Sequence, residues 1–132
     1  MIDSHIKGER LRLVPFSMDH IDDKYVSWLN DPHIVRYSNQ RFKKHTVESC
    51  KQYLNSFENT SNRFWAIEKI QNDELLGTLT MYINDHHLTA DIGILIGVSS
   101  SWGSGFGREA FGLAANFLLS NVKLRKITAG TM

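Results

Sequence analysis

Three glycines and a basic side chain stand within seven positions, Trp102-Gly-Ser-Gly-Phe-Gly-Arg108, and they are the residues of this chain best spaced to do chemistry. Before them, Ile92, Ile94, Ile96 and Val98 recur at period two, which predicts a largely buried strand over 91–98. After them, Ala110, Leu113, Ala114, Phe117 and Leu118 share one helix face, with only Gly112 weakening the pattern. The glycines therefore fall between a strand end and a helix start. The first amides of a helix have no intrahelical partner and lie at the positive end of its dipole, so bare backbone there attracts phosphate. Gly103, Gly105 and Gly107 admit backbone angles that other residues resist, and leave no side chain between an anion and the N–H groups. Arg108 would add a positive charge. A tight strand-to-helix connection, its glycines serving packing alone, would use the same residues.

Other nucleotide-binding loops fit less well. A P-loop requires Gly-x-x-x-x-Gly-Lys-Ser/Thr, and the chain has no such run. Gly105-Phe-Gly107-Arg-Glu-Ala110 satisfies a relaxed dinucleotide fingerprint, but no Asp or Glu follows Glu109 to hold a ribose.

The elements that must position this turn belong to a chain of 132 residues, sized for one domain over 1–132. Its 42% hydrophobic and 22% charged residues are ordinary for a folded soluble protein. A formal net charge of +1 argues against a nucleic-acid binder that depends on a strong positive field. No apolar run approaches the roughly 20 residues of a membrane span, and the N-terminus lacks the pattern of a secretion signal, so a cytoplasmic location is expected. Cys50 is the only cysteine, which excludes an internal disulfide and a cysteine-rich metal site. Among Val47, Leu54 and Phe57 it reads as a buried helix residue. Adjacent His86 and His87 point different ways on most backbones and read as a solvated turn, so no metal is expected.

In chain order, 8–15 alternates charged and apolar residues and reads as a first strand closed by Pro15. Ser17 or Asp19 caps a helix with Ile21, Tyr25, Trp28 and Leu29 inward, ended by Asn30-Asp-Pro32. Thr46 begins a second helix with a stripe of Val47, Cys50, Leu54 and Phe57. Strands are predicted over 63–69 and 75–83, joined by a turn at 71–74, and a turn at 84–87 leads into the central strand. A fifth strand reads over 126–132. These elements predict an α+β sandwich with a mixed, mostly antiparallel sheet flanked by helices. The crossover through the glycine-loop helix makes the fourth and fifth strands parallel neighbours.

The turn resembles the acetyl-coenzyme A loop of the GNAT superfamily of N-acetyltransferases, Gln/Arg-x-x-Gly-x-Gly/Ala, with Trp102 departing at the first position. Within that superfamily, Trp-Gly-x-Gly-Phe-Gly followed by Glu109-Ala110 is similar to the branch of ribosomal-protein (RimJ/RimL-type) and small-amine acetyltransferases. Arg10-Leu-Arg-Leu and Trp28-Leu-Asn-Asp-Pro32 resemble the same branch, so the likeness runs from Gly8 to Met132. It implies the GNAT acyl-CoA N-acyltransferase fold and transfer of acetyl from acetyl-CoA to a primary amine on a protein N-terminus, polyamine, amino sugar or other small amine. The pyrophosphate would lie on Trp102, Gly103, Ser104, Gly105, Phe106, Gly107 and Arg108. The pantetheine arm would run beside Ile94, Leu95, Ile96 and Gly97 like an added strand, where backbone N–H groups polarise the thioester carbonyl. An amine with a pKa near 10 must lose a proton before it attacks. Asp91, standing where related enzymes often carry Glu, is the candidate base, ahead of His86 and His87. Arg36 and Tyr37 inherit a place in the acceptor wall. Family domains continue into a further helix and two strands, so the resemblance implies a chain truncated after its fifth strand, with an exposed sheet edge that favours homo-oligomers. The reading from another class is a non-catalytic CoA sensor or interaction module that keeps the fold.

Overall fold

Six strands build one sheet, in the order of the chain. In the computed structural model, residues 5–35, 44–98, 102–121 and 126–130 are described, with the backbone alone at 121, 126 and 128–130. The strands are β1 (Ile6–Lys7), β2 (Leu11–Pro15), β3 (Arg63–Lys69), β4 (Leu75–Asn84), β5 (Thr89–Ile96) and β6 (Lys126–Gly130). All neighbours are antiparallel except β5 and β6, which run parallel, as a crossover through a helix allows. That helix is α3 (Phe106–Asn121).

One face of the sheet carries Leu13, Trp65, Leu79, Met81, Ile92 and Ile94, which pack with Ala110, Ala114 and Leu118 of α3 in a single cluster. Those three helix residues are fully buried, whereas Leu113 and Phe117 of the predicted stripe are only partly so. Alanines at two of the three contact points let the helix lie close on the sheet, and Leu118 fills the far end. The opposite face presents Val14, Phe16, Phe64, Ala66 and Leu95 to Tyr25, Trp28, Leu29 and Cys50. Tyr25, Trp28 and Leu29 come from α1 (Asp23–Asn30), Cys50 from α2 (Val47–Asn55). Cys50 is buried as expected, and burial pushes its thiol pKa up.

Several boundaries differ from the sequence reading. The predicted first helix is two elements, a 3-10 turn at Met18–His20 capped by Ser17, then α1 capped by Asp22, whose carboxylate accepts from the Tyr25 amide at 2.9 Å. Ile21 stays buried between them, so the hydrophobic pattern survives although the helix does not. Thr46 does cap α2, in a reciprocal pair with Ser49, but Val47 is exposed and not part of the inward stripe. The strand predicted over 8–15 is β2 and begins at Leu11, because Gly8 N–H bonds back to the Leu11 carbonyl and closes a tight turn from β1. The central strand runs two residues earlier than 91–98, because the turn occupies only residues 85–88 and β5 pairs with β4 from Thr89 onward. Residues 131–132 of the predicted last strand lie outside the described residues. Among the described residues no helix is long and apolar enough to cross a membrane.

Candidate active site at the two ends of the central strand

The turn from Trp102 enters α3 through glycines in the left-handed region. Gly103 and Gly105 both have φ of +83°, which L side chains resist, so these two positions need glycine. Gly107 is different: its φ is ordinary and it lies inside the first turn of α3. A Cβ added at Gly103 or Gly107 would meet nothing within 4 Å, so both face open space. The Gly105 carbonyl accepts the first helical bond, from Glu109 N–H at 3.0 Å, which leaves the amides of Phe106, Gly107 and Arg108 in the orphan positions of a helix start. Bare amides, open space and the positive end of a 16-residue helix are the features that a phosphate-binding turn requires. Arg108 is exposed beside it.

Tertiary contacts hold this turn from three sides. Phe106 is buried in the α3 cluster, with the Arg10 guanidinium 4.3 Å above its ring. Arg10 Nε donates to Glu109 Oε1 at 2.8 Å, and the amides of Arg10 and Leu11 donate to Glu109 Oε2 at 2.9 and 3.1 Å. Arg10 Nη1 donates to the Ser104 carbonyl at 2.8 Å. Burial works against the Glu109 carboxylate, but the hydrogen bonds from Arg10 and Leu11 outweigh it and hold its pKa below the ordinary value. Trp102, assigned to the cofactor by its place in the loop, donates its Nε1–H to the Ile96 carbonyl at 2.9 Å and stacks on His33 at 4.9 Å. The indole thereby ties the loop to the end of β5.

The same strand end is shaped by Gly97. Its amide donates to the Leu76 carbonyl at 2.8 Å, and a Cβ there would lie 1.9 Å from the Trp28 ring. Close approach to an aromatic ring, rather than an unusual φ, is what this glycine supplies. The ladder to β6 runs from Thr89↔Lys126 to Gly93↔Gly130, whereas the ladder to β4 continues to Ile96. Among the described residues, Ile94, Leu95 and Ile96 thus have a strand partner on one side only. No described strand pairs with their other edge, on which the Ile96 carbonyl is taken by Trp102 Nε1–H.

Asp91 stands toward the far end. It is the third residue of β5 rather than its first, is exposed, and lies in register with Tyr82 of β4. Six residues at about 3.3 Å each separate it from Gly97, about 20 Å along the strand. With Asn62, Tyr82, Asn84, Asp85 and His86 it lines an open cavity of about 760 Å³. The hydroxyl of Tyr82 is hydrogen-bonded to that of Tyr53 from α2, whose pKa burial raises, with the Tyr82 bond adding to the effect. His86 and His87 lie in the exposed turn, both amides donating to Asn84 Oδ1 at 3.0 Å. No group of three or more His, Cys, Asp or Glu among the described residues is placed to hold a metal ion. Arg36 and Tyr37 lie outside the described residues.

The predicted loop and strand residues therefore converge on one end of β5, with Asp91 on the same strand at a distance. Sequence reasoning missed Arg10, Tyr53 and Tyr82, and the tie made by Glu109. Arg10 and Glu109 are 99 positions apart, and no local pattern pairs them. An acid in the first turn of a helix was the one available signal, and it reads equally well as dipole compensation.

The family model of the acetyltransferase (GNAT) domain matches residues 10–132. No curated protein matches the chain significantly. Among solved structures, an acetyltransferase of the GNAT family from Bacillus anthracis superposes with a TM-score of 0.78 at 20% identity, covering 96% of this chain and 72% of its own. The spermidine N-acetyltransferase from Vibrio cholerae, in complex with CoA and spermine, gives 0.76 at 21%, covering 91% and 70%. The ribosomal-protein alpha-N-acetyltransferase RimL, in complex with CoA, gives 0.79 at 12%, covering 96% and 73%. With that family model matching residues 10–132, nearly all of its length, this chain belongs to the GNAT family of acetyltransferases.

Proposed function

We propose that the protein is an acetyl-CoA-dependent N-acetyltransferase acting on a primary amine, with the two ends of β5 as the two halves of its site. The observation that carries this reading is the conjunction at one strand end of a segment, 94–96, that pairs with no described strand on its β6 side, with a glycine turn in which the Cβ positions of Gly103 and Gly107 face empty space. The amides of residues 103–108 would take the pyrophosphate, and Ile94 to Gly97 would accept the pantetheine arm along that edge. The cofactor supplies the activated acetyl group as a thioester. Backbone N–H groups of that edge polarise its carbonyl.

Asp91 takes the proton of the attacking amine, directly or through one water. The amine nitrogen would form the new C–N bond as the C–S bond breaks, and the proton that nitrogen loses would pass to the departing thiolate. The cavity lined by Asp91, Tyr82 and Asn62 holds the acceptor, and Arg36 and Tyr37 belong to its wall. The solved relatives act on spermidine and on ribosomal protein, as their names say, and an amine acceptor is the chemistry they share. The branch of ribosomal-protein and small-amine acetyltransferases is the one this chain resembles most in its loop. The chain folds as a single domain, works in the cytoplasm, and uses its β6 edge for self-association.

Calorimetric titration with acetyl-CoA, followed by thiol release across a panel of N-terminal peptides, polyamines and amino sugars, tests the proposal. Binding with amine-dependent thiol release is expected. Binding without release by any amine would favour a CoA-binding module over an enzyme.

A further inference from the structure

We propose that Arg10 is a positioning residue that latches the Ser104–Gly105 peptide so that the Gly105 amide faces the cofactor's phosphates. This rests on the reading of residues 103–108 as the cofactor loop. Ser104 stands between two glycines that both have φ of +83°, and glycine admits the opposite sign of φ almost as readily. The glycines themselves therefore do little to decide which way this peptide plane points. The Arg10 guanidinium does, because Nη1 donates to the Ser104 carbonyl at 2.8 Å. In a trans peptide the N–H points opposite the carbonyl, and no peptide bond here is cis. Holding the Ser104 oxygen on Arg10 consequently turns the Gly105 N–H away from Arg10.

Glu109 fixes the latch. Its two oxygens take Nε of Arg10 and the amides of Arg10 and Leu11, so the guanidinium is held in one orientation from the start of β2. The ring of Phe106 beneath, at 4.3 Å, supports that orientation from one side of the half-exposed side chain. There is a second, electrostatic consequence. A bare carboxylate in the first turn of α3 would repel a bound diphosphate, and Arg10 neutralises it at the point where the anion must approach. A lysine could pair with Glu109, but a single ammonium on a flexible stem lacks the planar fork that reaches the carboxylate and the Ser104 carbonyl together.

The test is CoA titration and steady-state kinetics on Arg10→Gln, Arg10→Lys and Glu109→Gln, with Arg12→Gln as a control. Arg12 pairs with Glu68 at 2.9 Å from the neighbouring strand and touches no part of the loop. We expect Arg10→Gln to weaken CoA binding by about tenfold or more and to raise the KM for acetyl-CoA in step. The kcat at saturating acetyl-CoA and the KM for the amine should hold within about threefold. Arg10→Lys, which keeps the charge pair and the fold, should share most of that loss. Arg12→Gln should bind CoA as the unaltered protein does. Unchanged affinity in Arg10→Lys, or an equal loss in Arg12→Gln, would overturn the latch. If the unaltered protein binds no CoA, the cofactor reading itself falls and takes the latch with it, an outcome distinct from variants that bind normally.

Discussion

At the downstream end of β5, backbone conformations that disfavour side chains are given to glycine, and each is then held by a partner from elsewhere in the chain. Gly103 and Gly105 take φ of +83°, Arg10 holds the carbonyl between them, and Trp102 pins the turn to Ile96. At the upstream end, Leu88 takes φ of 55° with a full side chain, in an exposed turn beside an open cavity. A non-glycine residue in that region costs about 1–2 kcal/mol. One end is therefore preorganised by contacts across the fold, as fixed recognition of a charged group requires. The other is polar and open, as the proposed acceptor site requires.

The largest effect expected from breaking this division is chemical. Asp91→Asn should lower turnover by about 10²–10⁴ while changing CoA affinity little, since Asp91 is about 20 Å from the loop. A pH–rate profile that Asp91→Asn leaves unaltered would remove Asp91 as the base.

Gly97→Ala should do the reverse, damaging the fold from within the ordered end. Its Cβ would lie 1.9 Å from the Trp28 ring, and relief requires moving a buried indole or the strand, at about 3 kcal/mol or more. The shift in urea midpoint measures it.

The glycines of the turn should separate from one another. Gly105→Val places a β-branched residue at a positive φ and should cost about 1–2 kcal/mol together with most of the CoA affinity. Gly107→Ala, at an ordinary helical φ with open space ahead, should leave stability equal or raised by up to about 1 kcal/mol. Equal losses in both would show that the turn is read as a whole and not peptide by peptide.

Acid should loosen the ordered end. The Glu109 pKa is lowered on folding from its ordinary 4.5, so its stabilisation is complete above the unfolded value and disappears as pH falls through the lower folded one. Unfolding midpoints from pH 6 downward should converge for the unaltered protein and Glu109→Gln. Curves that stay parallel would mean the carboxylate carries no net folding energy. The smallest effect is at the open end, where Leu88→Gly should stabilise by at most about 1 kcal/mol, net of the entropy glycine loses, as read by thermal melting.

Much of this protein was legible in the sequence because the information was local. The period-two run around Ile92 and Ile94 and the period-3.6 run through Ala110, Ala114 and Leu118 describe elements that each bury one face, and they hold wherever the chain goes next. The glycine turn between them was legible for the same reason. Boundaries were less so: whether the central strand starts at Thr89 or Asp91 depends on pairing with β4, and whether α1 starts at Ser17 or Asp22 depends on where Ile21 must point to reach the core. What only the tertiary structure decided is which distant groups meet. Arg10 reaches Glu109 and Ser104 because β2 lies against α3, Gly97 admits Trp28 because α1 crosses the end of β5, and Tyr82 faces Asp91 because β4 and β5 share that register. Sequence periodicity fixes what a segment buries, but the contact that orients a peptide plane across 94 positions depends on packing that no local pattern encodes.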